Sequence, residues 1–172
     1  MDHNMMDHNM IALRAIEPSE CEYLHQIAEA YWLELMPHSD VIQDANQRAQ
    51  YFQDRFPLNT PDHLVQWAIN NETIVGIVAA RVEPANRRAS IEDFYVLPTE
   101  RSKGYGREMI RKLYQQFDTM DIERVDLNVR RDNPAALAFW EAQGFRIALY
   151  HLRQYRDPQS GESFVGALSS DF

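Results

Sequence analysis

A single cysteine, Cys21, stands in this chain of 172 residues, so no intramolecular disulfide and no cysteine-rich zinc site holds the fold together. Apolar runs are short, and none approaches the roughly 20 residues that a membrane-spanning helix requires. Positive charge is also scarce: 17 lysines and arginines stand against 26 aspartates and glutamates, for a formal net charge of -9. That balance disfavours nonspecific attachment to nucleic acid or an anionic membrane, and it suits a cationic or amine substrate. The amino terminus reads Met-Asp-His-Asn-Met twice, without the basic start or apolar centre of a secretory signal. His3 and His8, with Asp2 and Asp7, lie on a polar terminus far from other ligating residues, so they read as solvated and no metal is expected. Residues 1–10 are therefore expected to be a disordered tail or the remnant of an alternative start. Residues 11–172 fit one domain with one active site, and the expected compartment is the cytoplasm.

What is present is patterned as a mixed α/β chain. Ile11 to Ile16 alternates as a first strand, and Pro18-Ser19-Glu20 opens a helix to about Met36, with Tyr23, Leu24, Ile27, Ala30, Tyr31 and Leu35 at helical spacing. A second helix is predicted from Ala45 to Phe56, where Pro57 ends it. Leu64 to Asn70 and Thr73 to Val82 flank a compact polar turn and read as an antiparallel hairpin, extended by Ile91 to Leu97. Met109, Ile110, Leu113 and Phe117 form one helical face, and Arg124 to Val129 returns as a strand. A strand, helix and strand in this order implies a parallel crossover. Asn133-Pro134 starts a further helix that Gly144 closes, and strands are predicted from Phe145 to Tyr155 and from Ser163 to Leu168.

Glycine is sparse, with 6 in the chain, so two within three positions are conspicuous. The stretch Arg101-Ser102-Lys103-Gly104-Tyr105-Gly106-Arg107 joins a strand to a helix. Gly104 and Gly106 allow positive φ and close backbone approach, while the first N–H groups of the helix point outward; together these make an anion cradle suited to phosphate. Arg101, Lys103 and Arg107 add positive charge against the sign of the whole chain. A nucleoside-triphosphate loop would end in Gly-Lys-Ser or Gly-Lys-Thr, which is absent. A dinucleotide fold would place the turn after its first strand with a third glycine, also absent.

The spacing Arg101-x-x-Gly104-x-Gly106 resembles the pyrophosphate motif of the GNAT superfamily of N-acetyltransferases. The preceding Tyr95-Val96-Leu97-Pro98 is similar to that family's fourth strand. Asn133-Pro134 with Phe139-Trp140-Glu141-Ala142-Gln143-Gly144-Phe145 is similar to its late motif, and the order holds from about residue 11 to 155. The resemblance implies a central, mostly antiparallel sheet with a splayed parallel strand pair, flanked by helices. It further implies transfer of an acetyl group from acetyl-CoA, the co-substrate, to the primary amine of a small molecule or peptide, by direct attack in a ternary complex.

By the same resemblance, Phe94, Tyr95 and Val96 contact the pantetheine arm through main chain, Ser102, Lys103, Gly104, Tyr105, Gly106 and Arg107 hold the pyrophosphate, and Arg101 at the head of the motif is also a cofactor-binding residue. Asn133 and Trp140 join the cofactor side. The incoming ammonium must lose a proton, so a carboxylate serves as general base. Glu92 and Asp93 lie on the entering strand, and alternation points them to opposite faces; Glu92 is favoured by its register in the family. The Val96 N–H is the implied oxyanion donor. Two departures stand out: Trp140 replaces the tyrosine that protonates the leaving thiolate in many relatives, and Asn128 replaces a Glu of protein N-terminal acetylating members. The acceptor is expected near Tyr31, Trp32, Glu34, Met36, His38 and Asp40, acidic and aromatic residues that suit a cation. The family commonly dimerises through late strands, which makes a homodimer an expectation. A non-catalytic acyl-CoA-binding regulatory domain and a generic phosphate-binding module are the alternatives.

Overall fold

The computed structural model describes residues 11–36 and 44–152. Expectations for residues 1–10, for His38 and Asp40, and for a strand from Ser163 to Leu168 lie outside the described residues. The chain divides into two compact units, residues 1–127 and residues 128–172.

In the first unit, β1 (Ile11–Ala15) leads through a single 3-10 turn into α1 (Cys21–Leu35), then α2 (Ala45–Arg55), β2 (His63–Asn70), β3 (Thr73–Glu83), β4 (Arg88–Val96), α3 (Tyr105–Thr119) and β5 (Arg124–Leu127). The five strands form one sheet in the order β1-β2-β3-β4-β5, antiparallel except for the parallel pair β4 and β5. The β2–β3 hairpin turns on Asn71 and Glu72, both at positive φ, with Asn70 opposite Thr73; two left-handed residues supply the twist a tight hairpin needs. The α2 helix starts because the Asp44 carboxylate accepts from the Asn46 and Gln47 N–H groups at 2.9 and 2.8 Å.

Side-chain alternation gives the sheet two apolar faces. On one, Val65, Trp67, Ile77, Ala79 and Tyr95 pack against Leu24, Ile27 and Ala28 of α1 and Phe52 of α2. The inward stripe of α1 differs slightly from the predicted one. Ala30 turns outward and Ala28 turns in, because the buried stripe follows Leu24, Ile27 and Ala28, while Tyr23 sits at its rim with its ring 5.6 Å from that of buried Trp67. The other face takes α3, whose Met109, Leu113 and Phe117 are fully buried. Gly76 on β3 allows this fit: a Cβ there would press on the Tyr95 carbonyl oxygen and lie 3.3 Å from the Met109 methyl. Gly76→Ala is expected to cost about 1 to 3 kcal/mol through overpacking, read as a lower denaturant midpoint with an unchanged slope.

The end of β1 is tied to the first helical turn by Arg14 and Glu20, whose two hydrogen bonds measure 2.9 and 2.7 Å. The guanidinium, and then the Glu17 N–H, lower the Glu20 carboxyl from 4.5 to about 2. Its folded value lies below the unfolded one, so its contribution is complete above pH 4.5 and fades as pH falls toward 2. Urea midpoints of wild type and Glu20→Gln should differ modestly at neutral pH and converge near pH 2. The pair is exposed, so the neutral-pH difference is small.

The second unit holds α4 (Pro134–Ala142), closed by Gly144 at φ +95. Two strand expectations need correction. The fifth strand ends at Leu127, two residues before Val129, where its ladder with β4 stops. The strand predicted from Phe145 does not form over residues 145–152. No strand of its own unit, among the described residues, lies ready to take its ladder bonds, and alternation alone does not sustain a lone strand. No helix of the described residues is long and apolar enough to cross a membrane.

Candidate active site at the end of β4

The parallel ladder between β4 and β5 runs from Arg88↔Arg124 to Ile91↔Leu127 and stops, while β4 continues to Val96. On the other side β4 stays paired with β3, and the Leu97 N–H donates to the Val75 carbonyl at 2.9 Å. In an antiparallel ladder successive residues turn their peptide groups to opposite edges. Tyr95 and Leu97 therefore face β3, whereas Phe94 and Val96 turn their N–H and C=O groups to the outer edge. Among the described residues no strand covers that edge beyond Ile91. An uncovered strand edge beside an apolar sheet is a template for an extended, amide-bearing chain.

This edge runs directly into the glycine turn. After a 3-10 turn at Pro98–Glu100, Ser102 and Gly104 both adopt left-handed backbone, with φ +63 and +84. For a serine that conformation costs about 1 to 2 kcal/mol, a strain of the kind found at ligand sites. No side chain caps α3, and its first intrahelical bond runs from the Glu108 N–H to the Gly104 carbonyl at 3.3 Å. The N–H groups of Tyr105, Gly106 and Arg107 are thus left as donors at the positive end of the helix. Tyr105 is buried, and its hydroxyl accepts from the Asn70 amide at 2.6 Å, which fixes the first helical turn against the end of β2.

Two of the three cations of the turn have carboxylate partners. Lys103 pairs with Glu100 at 3.0 Å, and Arg107 is exposed. Arg101 reaches back: both its terminal nitrogens lie 2.8 Å from the Glu34 carboxylate of α1, and its Nε donates to the Val96 carbonyl at 3.1 Å. Its guanidinium also lies 5.3 Å from the centre of the Tyr95 ring, whose hydroxyl donates to Glu34 at 3.2 Å. The Arg101 hydrogen bonds hold the Glu34 carboxyl below its ordinary value.

The two acidic residues of β4 occupy different surroundings. Register shifts between Ala79 and Ala80: Ala79 faces Asp93 and Ala80 faces Ile91, so Glu92 is the extra residue of a β-bulge. This corrects the expectation of simple alternation at that point, since a bulge interrupts the two-residue period. Asp93 is buried, and its carboxylate accepts from Arg55 Nε at 2.7 Å, while another arm of Arg55 donates to the Glu92 carbonyl at 2.7 Å. Arg55 thereby fastens α2 to the bulge. Burial pushes the Asp93 carboxyl up against the pull of Arg55, and one of its oxygens has no hydrogen-bond partner among the described residues. Burial and then the Asp93 charge push the Tyr31 phenol up. Glu92 is partly exposed, and its carboxylate makes no hydrogen bond or ion pair among the described residues.

Tyr31 stacks on Tyr95 with ring centres 4.7 Å apart, and Trp32 meets Tyr51 edge-on at 5.1 Å, so these aromatics belong to the packed layer beneath α1 and α2. In the second unit, the Asn133 side chain accepts from the Ala136 N–H at 3.0 Å as the cap of α4. Trp140 is buried, with Phe139 and Phe145 at 5.1 and 5.2 Å. Asn128 lies just past β5, outside any strand. Sequence reasoning did not find Arg55, Asn70 or the Glu34 partnership. Their partners lie 38, 35 and 67 residues away, and no local spacing signals such pairs.

Residues 22–145 match the family described as Acetyltransferase (GNAT) family. A beta-lysine N(6)-acetyltransferase of Methanosarcina mazei is 42% identical over 44 residues; the matched segment is 26% of this chain and 16% of that protein. Among solved structures, YycN of Bacillus subtilis superposes with a TM-score of 0.71 at 24% identity, covering 85% of this chain and 98% of the other. The PaiA N-acetyltransferase of Thermoplasma acidophilum, solved with coenzyme A, superposes at 0.63 with 18% identity, covering 80% and 91%. An aminoglycoside acetyltransferase from an uncultured soil metagenomic sample, solved with sisomicin, gives 0.63 at 17% identity, covering 87% and 98%. At these identities the structural likeness concerns the fold.

Proposed function

We propose that this chain, which belongs to the acetyltransferase (GNAT) family, transfers an acetyl group from acetyl-CoA to a primary amine by direct attack in a ternary complex. The observation that carries this reading is the continuity of two donor arrays. The outer edge of β4, which ends at the outward Val96 N–H, leads across one short turn to the uncapped start of α3. A ligand with an amide-bearing arm and a pyrophosphate fits such a surface. In this reading Val96 and the outer edge of β4 line the arm by main chain, whereas Tyr95, expected to join them, has its peptide groups turned to β3, and the N–H groups from Ser102 to Arg107 meet the phosphates.

The chemistry then follows from the strand. Glu92, partly exposed at the bulge, takes a proton from the ammonium, directly or through water. The freed nitrogen lone pair attacks the thioester carbonyl, and the outward Val96 N–H donates to the oxyanion that forms. As the carbonyl re-forms, the nitrogen gives up its second proton to water, the carbon–sulfur bond breaks and CoA leaves as a thiolate. A thiol of pKa about 8.5 leaves tolerably as an anion and takes its proton from water, so Trp140 in place of a tyrosine does not bar turnover. Asp93 and Arg55 act behind Glu92 by fixing the bulge.

The acceptor is proposed to be the amine of a small molecule or peptide. Calorimetry with acetyl-CoA and free-thiol release with polyamines, aminoglycosides, amino acids and peptides test both halves. Binding of acetyl-CoA and thiol release with at least one amine are expected. Binding without turnover across the panel would favour an acyl-CoA sensor, and absence of acetyl-CoA binding would overturn the reading.

A further inference from the structure

The arginine that opens the glycine motif turns its side chain away from the cradle and holds three other parts of the fold. Its Nε donates to the Val96 carbonyl at the last residue of β4, five positions earlier in the chain. Its two terminal nitrogens grip the Glu34 carboxylate of α1 in a forked pair, both at 2.8 Å. Its plane lies over Tyr95, and the Tyr95 hydroxyl closes the ring by donating to the same carboxylate at 3.2 Å. A forked arginine–carboxylate pair fixes orientation as well as distance, which a lysine does not reproduce.

We infer that Glu34 and Arg101 form a positioning clasp that sets the spacing between the thioester end and the pyrophosphate end of the donor site, and ties that spacing to α1. The inference rests on the acetyl-CoA reading above. The two binding ends are Val96, with its outward peptide groups, and the N–H groups from Ser102 to Arg107. Between them lie Leu97 and the short 3-10 turn, closed by main-chain bonds of 2.8 Å from Glu100 to Leu97 and 3.4 Å from Arg101 to Pro98. The Arg101 Nε bond bridges this turn from end to end, so it fixes the distance that a two-ended ligand must span. Glu34 touches neither end; it acts through Arg101 by holding the guanidinium in the orientation that places Nε on Val96.

A two-ended ligand gains affinity because binding one end raises the effective concentration of the other, and this gain depends on geometry. Loosening the clasp therefore penalises the joined ligand more than its pieces. The experiment measures dissociation constants of acetyl-CoA, of 3′,5′-ADP and of acetylpantetheine by calorimetry, in wild type and in Glu34→Gln, with melting temperatures as a control. The expected result is a rise of about tenfold in the acetyl-CoA constant, with each fragment changed by less than twofold, and return toward the wild-type value in Glu34→Asp. If fragments and acetyl-CoA weaken in proportion, Glu34 serves only the fold and the inference falls. An unchanged acetyl-CoA constant overturns it as well. Should Glu34→Gln fail to fold, Arg101→Lys reads the same contrast, because lysine keeps the charge but loses the fork and the simultaneous bond to Val96. Failure of wild type to bind acetyl-CoA at all would instead sink the proposed function, so the two readings fail separately.

Discussion

Glu92→Gln lowers kcat by about 10²- to 10⁴-fold and removes the limb of the pH–rate profile that the carboxylate sets, the range expected when a general base is lost. Glutamine keeps the size and shape of the side chain and removes only its ability to accept a proton. Glu92 sits in the bulge of β4, partly exposed, with no hydrogen bond or ion pair to its carboxylate among the described residues. Removing that charge therefore leaves no buried partner stranded, and the melting temperature should stay within a degree or two of wild type. Steady-state kinetics across pH with the best amine of the panel make the measurement. A variant that keeps the wild-type rate and profile would move the base to another group.

Asp93→Asn acts on the fold as well. The carboxylate is 3% exposed and carries a 2.7 Å ion pair with Arg55, so asparagine leaves a guanidinium facing a neutral group in a largely dry site. Breaking a buried pair by removing one partner costs about 3 to 5 kcal/mol. The lower figure applies here, because the Arg55 side chain keeps 31% of its surface in solvent. A loss of about 3 kcal/mol in a chain of this size lowers the melting temperature by about 6 to 12 °C. Activity also falls, because Arg55 holds the Glu92 carbonyl through its other arm. Combining Asp93→Asn with Arg55→Gln should recover part of the lost stability, since both charges are then gone. A melting temperature unchanged in the single variant would show that water reaches the pair and screens it.

The contrast between these two neighbours shows how far the chain could be read in advance. Their presence on the strand entering the site was legible, and so was the need for a carboxylate there. Alternation predicted opposite faces, yet the bulge at Glu92 interrupts the period, because strand pairing with β3 shifts by one residue between Ala79 and Ala80. Nothing local in Ile91-Glu92-Asp93 marks such a shift. The strand expected from Phe145 has no strand neighbour in its own unit among the described residues, and a strand is a property of a pair.

Sequence by itself determined the alternating and helical periods, and hence the order of strands and helices. It also determined the glycine turn: Gly104 takes the left-handed backbone that other residues resist, whereas Gly106, expected to do the same, lies within α3, and the start of a helix leaves N–H groups open wherever it lies. Those are short-range properties, written within a few residues. Tertiary structure alone decided what the cations of that turn do. Arg101 was legible as positive charge beside an anion site, but Glu34, 67 residues away, takes its fork, and Asp93 finds Arg55 across 38 residues. Such pairings depend on which helix the sheet brings over β4, and no spacing in the chain encodes that distance.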